Sequence, residues 1–104
     1  MTQPAITPEP PYFAVIFTSI RRDGGHGYAE AARAVLELAR TQPGFLGFES
    51  ARNELGISVS YWESLDAIRA WKENATHRRT QARAKEWYES FRVRICRVER
   101  EYGF

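Results

Sequence analysis

The chain has one cysteine in 104 residues, which excludes an internal disulfide and leaves no partner thiols for a cysteine-built zinc site. Cys96 stands in an alternating apolar run, where a small buried hydrophobe in a reducing compartment is the expected role. Long hydrophobic runs are also missing. No stretch approaches the roughly 20 apolar residues of a membrane span, and the first residues lack the basic start and apolar centre of a secretory signal. A soluble, cytoplasmic protein without a membrane partner is expected. Charge of one sign is absent too: fifteen Lys and Arg face thirteen Asp and Glu, a formal +2. A nucleic-acid footprint would need basic residues gathered on one face, so nucleic acid is set aside. Proline is scarce beyond residue 11, because four of the five prolines lie in the segment 1–11. That segment reads as an extended arm before one domain over residues 12–104.

What is present is apolar and aromatic, at 43% and 13% of the chain. A chain of this size should bury roughly 60–70% of its unfolded surface in one core. Tyr12 to Ile20 is apolar on both alternating faces, the pattern of a strand covered on two sides. After the turn Arg22-Asp-Gly-Gly-His-Gly27, apolar residues at Tyr28, Ala32, Val35, Leu36, Leu38 and Ala39 recur at helical spacing as far as Gln42. Pro43-Gly44 stops that helix.

Phe45 to Arg52 reads as a second strand, with Leu46 and Phe48 opposite Phe45. Asn53 to Gly56 is a hairpin turn, and Ile57 to Glu63 a third strand. In the third strand Ile57, Val59 and Tyr61 face one way and Ser58, Ser60 and Trp62 the other. Ser64 is an N-cap, with Asp66 in the first turn and Leu65, Ile68 and Trp71 in one stripe. Asn74-Ala-Thr76 interrupts the pattern, and a second helical piece from His77 to Tyr88 carries His77, Gln81, Ala84 and Tyr88 on one face. Phe91 to Val98 alternates as a fourth strand.

The order β-α-β-β-α-β is the split βαβ, ferredoxin-like α+β arrangement, an antiparallel sheet with both helices on one face. The other face needs a cover. A second copy packed sheet to sheet would supply it, so a homodimer is expected.

Three stretches now stand out: Phe13-Ala-Val-Ile-Phe-Thr-Ser, Gln42-Pro-Gly-Phe-Leu-Gly-Phe-Glu-Ser-Ala-Arg and Ser60-Tyr-Trp-Glu-Ser-Leu-Asp-Ala-Ile-Arg-Ala-Trp-Lys. Together they resemble the antibiotic biosynthesis monooxygenase family, over roughly Tyr12 to Phe104. The resemblance implies a dimeric α+β barrel that uses O2 on a small electron-rich aromatic substrate of the quinol or polyphenol type, with no cofactor and no metal. A substrate that supplies its own electrons needs only a dry site, a group that takes its proton and room for oxygen.

His77 and Asn74 are the candidate catalytic residues, His77 as proton acceptor and Asn74 as a neutral hydrogen-bonding group. Trp71, Trp62, Tyr88 and Gln81 are the candidate substrate-binding residues. Each also has a plain structural reading. Trp71 is in phase with Leu65 and Ile68 and so belongs to the core, Asn74 serves as a helix-end residue, and His77 as a polar helix-start contact. Trp62 lines either a pocket or the dimer seam.

A related haem-degrading branch of the family usually carries a His where Gln81 stands, and the first strand offers Thr18 and Ser19 in place of an obvious Asn. Three functions therefore remain open: the oxygenase, a non-catalytic small-molecule-binding or stress-related dimer, and haem binding. Gly24-Gly-His-Gly27 lacks the Lys-Ser/Thr of a phosphate loop, and Arg78, Arg79, Arg83 and Lys85 read as a solvated helix face. The terminal Tyr102 and Phe104 are expected to pack on a partner or close a pocket.

Overall fold

A computed structural model describes residues 3–24 and 27–104, apart from the side chains at 75 and 76. The elements are β1 (Tyr12–Arg21), α1 (Tyr28–Arg40), β2 (Phe45–Arg52), β3 (Gly56–Trp62), α2 (Leu65–Glu73), α3 (Ala75–Ala82), α4 (Ala84–Trp87) and β4 (Tyr88–Val98). They form one antiparallel sheet of order β2-β3-β1-β4, the ferredoxin-like arrangement with its helices on one face. β1, apolar on both sides, takes an interior place between β3 and β4, where both of its edges are paired and the helices cover one of its faces. The middle of the turn before α1, Gly25-His26, lies outside the described residues.

Register assigns every strand residue to a face, because directly paired residues of antiparallel strands share one. Phe13 pairs with Trp62, and Trp62 with Phe45. These three point to the helices, where Trp62, Ile68, Trp71 and Ala39 form the buried cluster with Phe13, Val15, Val35, Leu38, Phe45 and Ala67 around it. Trp62 is 0% exposed. An indole of this size removes roughly 200 Å² from water, of the order of 5 kcal/mol at about 25 cal/mol per Å².

β2 departs from simple alternation. Its register slips between Phe45 and Gly47, leaving Leu46 as an extra residue, so Phe48 pairs with Ser60 and joins Phe45 on the helix side. Phe48 therefore does not oppose Phe45. The far face of β2 carries Gly47, Glu49 and Ala51 in place of an aromatic patch.

The arm packs back over that far face. Ala5 N donates to Glu49 Oε2 at 2.8 Å, and Glu49 Oε1 accepts from the Tyr61 hydroxyl at 2.5 Å. The Thr7 hydroxyl donates to Glu101 Oε2 at 3.1 Å and lies 2.8 Å from the Tyr12 hydroxyl. Tyr12 in turn meets Tyr61 edge to face, with centroids 5.8 Å apart. Tyr12 and Ala14 are buried, whereas Ile20 and Ile57 on the same face are 40% and 44% exposed.

One expectation changes: Cys96 is exposed, because β4 is an edge strand whose far face none of the described residues covers. Tyr102 and Phe104 are fully exposed in the single chain.

Candidate functional site

The end of the sheet nearest Trp62 is built by an ordinary sequence of local choices. β3 ends at Trp62, and Ser64 takes extended geometry and accepts a hydrogen bond from Ala67 N at 3.0 Å, starting α2. From that start, helical spacing turns Ile68 and Trp71 inward. The indole of Trp71 stacks on Trp62 at a centroid distance of 6.1 Å and an angle of 24°.

α2 stops at Asn74, whose backbone leaves helical geometry at φ −57°, ψ 130°. The Asn74 carboxamide oxygen accepts from His77 N at 3.3 Å, so one residue ends α2 and caps α3. This reversal brings the His77 ring flat onto the other side of Trp71, with centroids 4.2 Å apart and planes within 14°. Trp62, Trp71 and His77 thus form one stack from the sealed core outward.

His77 Nδ1 lies 3.1 Å from the Trp71 carbonyl oxygen. A carbonyl only accepts, so the proton of the neutral ring sits on Nδ1 and the lone pair is left on Nε2. Burial lowers the pKa of His77 from the ordinary 6.5, aided by the nearby Lys72 charge and opposed by the bond to Trp71. The ring is therefore a neutral base at physiological pH.

Beside the stack an open groove of about 370 Å³ is lined by Pro43, Gly44, Glu63, Asp66, Ala70 and Trp71, with Gln42, Ser64 and Ala67; of the stack it touches Trp71 and not His77. Gly44 holds φ at +85°, and a Cβ there would stand 2.6 Å from Ala67 Cβ. The close approach of the β2 entry to α2 thus requires glycine. Among the described residues no group of three or more His, Cys, Asp and Glu side chains is placed to hold a metal ion.

Of the six residues singled out in the sequence, Trp62, Trp71, Asn74 and His77 come together. Trp62 lies beneath the helices with Trp71 between it and His77, in neither of the two places the alternation left open. Gln81 is on α3 and exposed. Tyr88 is not helical: the helix breaks at Arg83, α4 is four residues long, and Tyr88 is already extended at φ −123°, ψ 137°. It pairs with Arg21 in the sheet, eight positions along β1 from Phe13 opposite Trp62, roughly 25 Å away at about 3.3 Å per residue. There its hydroxyl donates to that of Tyr28 at 3.1 Å, and its ring meets Phe17, Tyr28 and Phe91.

A four-stranded antiparallel sheet with helices on one face, and an aromatic–histidine stack at a helix break beside it, define a small α+β protein of the ferredoxin-like class. Residues 11–83 match the antibiotic biosynthesis monooxygenase model, and the chain belongs to that family. It is 47% identical over 101 residues to the uncharacterised protein YqjZ of Bacillus subtilis, covering 94% of this chain and 89% of that one. Among solved structures it is similar to a variant of SnoaB, a cofactor-independent oxygenase from Streptomyces nogalater, with TM-score 0.78 and 9% identity over 88% of this chain and 97% of that one. Protein SO0527 from Shewanella oneidensis superposes with TM-score 0.76 at 12% identity, over 88% and 94% of the two chains. At these identities the structures share the fold alone.

Proposed function

We propose that the protein is a homodimeric, cofactor-independent monooxygenase that uses O2 on a small electron-rich aromatic of the quinol or polyphenol type. The observation that carries this reading is the His77–Trp71 pair: a neutral imidazole tied through Nδ1 to a carbonyl, with Nε2 as the lone pair, laid against an indole. In the reaction His77 takes the acidic proton of the bound substrate, and the resulting carbanion or phenolate passes one electron to O2. The substrate radical and superoxide combine to a peroxide, which loses water, so that a CH2 group and O2 become a carbonyl group and H2O. Trp71, covered on its two faces by Trp62 and His77, backs the imidazole with an apolar surface and offers the groove only its edge, and Asn74 holds the helix break that positions His77. SnoaB, described as a cofactor-independent oxygenase, has the same fold, which supports the reaction class and leaves the substrate open.

Homodimerisation is part of the proposal because the far face of the sheet leaves Ile20 and Ile57 open to water and the tail aromatics unpacked. One observation favours a second reading, a binding dimer without turnover: the groove beside Trp71 is open within a single chain, whereas this chemistry needs a dry site.

Oxygen uptake by metal-stripped protein against anthrones, hydroquinones and flavonols tests the proposal, beside folded Trp71→Ala and His77→Ala variants. Uptake that falls at least tenfold in His77→Ala is expected. Uptake equal in all three proteins would remove the site, and no uptake with ligand-induced thermal stabilisation would establish the binding reading.

A further inference from the structure

At the opposite end of the helix-facing side of the sheet, one row of residues crosses all four strands: Arg52 on β2, Gly56 on β3, Ser19 on β1 and Phe91 on β4. Gly56 has no side chain to obstruct the row, and the Arg52 guanidinium lies over it. A Cβ at Gly56 would collide with the Arg52 guanidinium. Arg52 thereby reaches across β3 and donates to both the hydroxyl and the carbonyl oxygen of Ser19, the latter at 3.3 Å. Ser19 is only 2% exposed, so an exposed arginine is anchored on a buried serine. The next row inward has Ser50, Ser58 and Phe17, which keeps the floor beside the guanidinium small.

The neighbouring row adds a second cation. The Arg21 guanidinium carbon lies 3.4 Å from the centroid of the Tyr28 ring, and its Nε donates to Trp87 O at 3.1 Å. Tyr28 and Tyr88 join hydroxyl to hydroxyl, and Tyr88 feels the charge of both Arg52 and Arg21. Phe91, 48% exposed, and Phe17 complete an aromatic wall, their rings 5.5 Å apart. The ion pairs among the described residues are Arg69–Asp66 and Arg83–Glu86, so neither Arg21 nor Arg52 meets a carboxylate of its own chain. Two guanidiniums are held in place by neutral oxygens and a ring face, with donors to spare and their charge unmatched.

We infer that this end of the sheet is a binding site for an aromatic carboxylate, the carboxylate meeting Arg52 and Arg21 and the ring lying against Phe17, Phe91 and Tyr88. A guanidinium fork matches a carboxylate in plane and charge, and the aromatic edges favour a planar ring over an aliphatic acid. The site lies at the far end of the sheet from His77. It is separate from the proposed oxygenase chemistry and binds without turnover.

Titration of the full chain with 2-naphthoate tests it, followed by calorimetry and by the arginine Nε–H resonances of labelled protein. 2-Naphthamide and acetate serve as the neutral and the ring-less probes. The expected result is saturable naphthoate binding that moves the Arg52 and Arg21 resonances, with at least tenfold weaker binding of both other probes. Arg52→Gln is expected to weaken naphthoate at least tenfold, as is Gly56→Ala, which keeps the charge but displaces the guanidinium from its seat. Arg92→Gln, on the other face of β4, should bind as the parent does. Absence of naphthoate binding at millimolar concentration, equal affinity for the amide, or unchanged binding in a folded Gly56→Ala variant would each overturn the inference.

Discussion

His77 lies face to face with Trp71, ring centroids 4.2 Å apart, although they are six positions apart with a helix break between them. An uninterrupted helix would not put them so. Residues three or four apart are neighbours on a helix surface, and a residue six on points elsewhere. The turn at Asn74 returns the chain over its own last indole, giving the histidine an apolar face on one side and a fixed acceptor at Nδ1.

The first consequence is a pH dependence of stability. Burial holds His77 below its ordinary pKa of 6.5, so on acidification the unfolded chain takes the proton first. Between the ordinary value and the lowered one the unfolded state binds more protons, and stability rises with pH there. The stabilisation from this group is full above about pH 7 and is lost as pH falls below 6.5. His77→Gln should melt lower than the parent at pH 7.5, yet lose less of its Tm between pH 7.5 and 5. Parallel melting curves for the two proteins across that range would show that His77 does not carry the slope.

Trp71 should control both the core and the histidine. It is 8% exposed in the buried cluster, so Trp71→Ala should cost about 3–5 kcal/mol through lost transfer energy and a cavity. Trp71→Phe should cost less and keep the stack. With the indole gone, the His77 ring is rehydrated and its pKa climbs back toward 6.5. A proton NMR titration of the His77 ring in Trp71→Ala that gave the parent's pKa would mean that the indole is not what excludes water from it.

Two glycines should respond differently to alanine. Gly44 combines φ of +85° with an Ala67 Cβ at 2.6 Å from the new methyl group, and neither the backbone nor a short packed side chain can yield easily. A loss of more than about 2 kcal/mol is expected from strain and overpacking together. At Gly56 the obstructing group is the far end of the Arg52 side chain, which can swing away. Gly56→Ala should cost less than about 1 kcal/mol, in the range of moving one exposed hydrogen-bonded group. Urea denaturation of both variants decides, and equal losses would mean that the Arg52 seat is rigid.

Much of this was legible in the chain. Both alternating faces of Tyr12 to Ile20 are apolar, and β1 is the interior strand with helices on one side. Ser64, Pro43 and Gly44 mark boundaries through local geometry, which sequence expresses directly, and the stop at Asn74 placed the helix break beside Trp71. Contacts across the sheet were less visible. The extra residue at Leu46 moves Phe48 to the other face, and no local pattern announces a bulge. Tyr88 continues the helical spacing of His77 and Gln81, yet it is claimed by the pairing with Arg21. Arg52 and Gly56 looked like a strand end and a turn. Their alignment with Ser19 depends on the register of three strands at once.

On the far face, burial and Glu49 together hold the Tyr61 phenol protonated. Burial, followed by the hydrogen bond to Glu49 and its charge, raises the Tyr61 phenol well above its ordinary pKa of 10.0. The raised value means that the folded protein keeps the phenol proton longer than the unfolded chain does, so this stabilisation is present below pH 10 and is lost as pH climbs above it. Glu49→Gln removes the charge while retaining an acceptor. Tyrosine absorbance in alkaline titration should then show one group ionising earlier than in the parent. No change would assign the shift to burial alone.

The proposed dimer is tested on the far face. Ile57 is 44% exposed in the single chain and pairs with Thr18 and Ala51, near the middle of the surface that a second sheet would cover. A lysine there is solvated in a monomer and costs that monomer little. In a face-to-face dimer the same lysine adds a positive charge, twice by symmetry, to a covered row that already holds Arg92, at a cost of several kcal/mol through desolvation and like-charge repulsion. Light scattering at micromolar concentration should therefore give twice the chain mass of 12.0 kDa for the parent and a single chain for Ile57→Lys, with circular dichroism unchanged. A parent that scatters as one chain would leave the exposed isoleucines unexplained and remove the dimer from the proposed function. A variant that still pairs would move the seam away from this face, toward the half-exposed Phe91, Val93 and Ile95 on the helix side of β4.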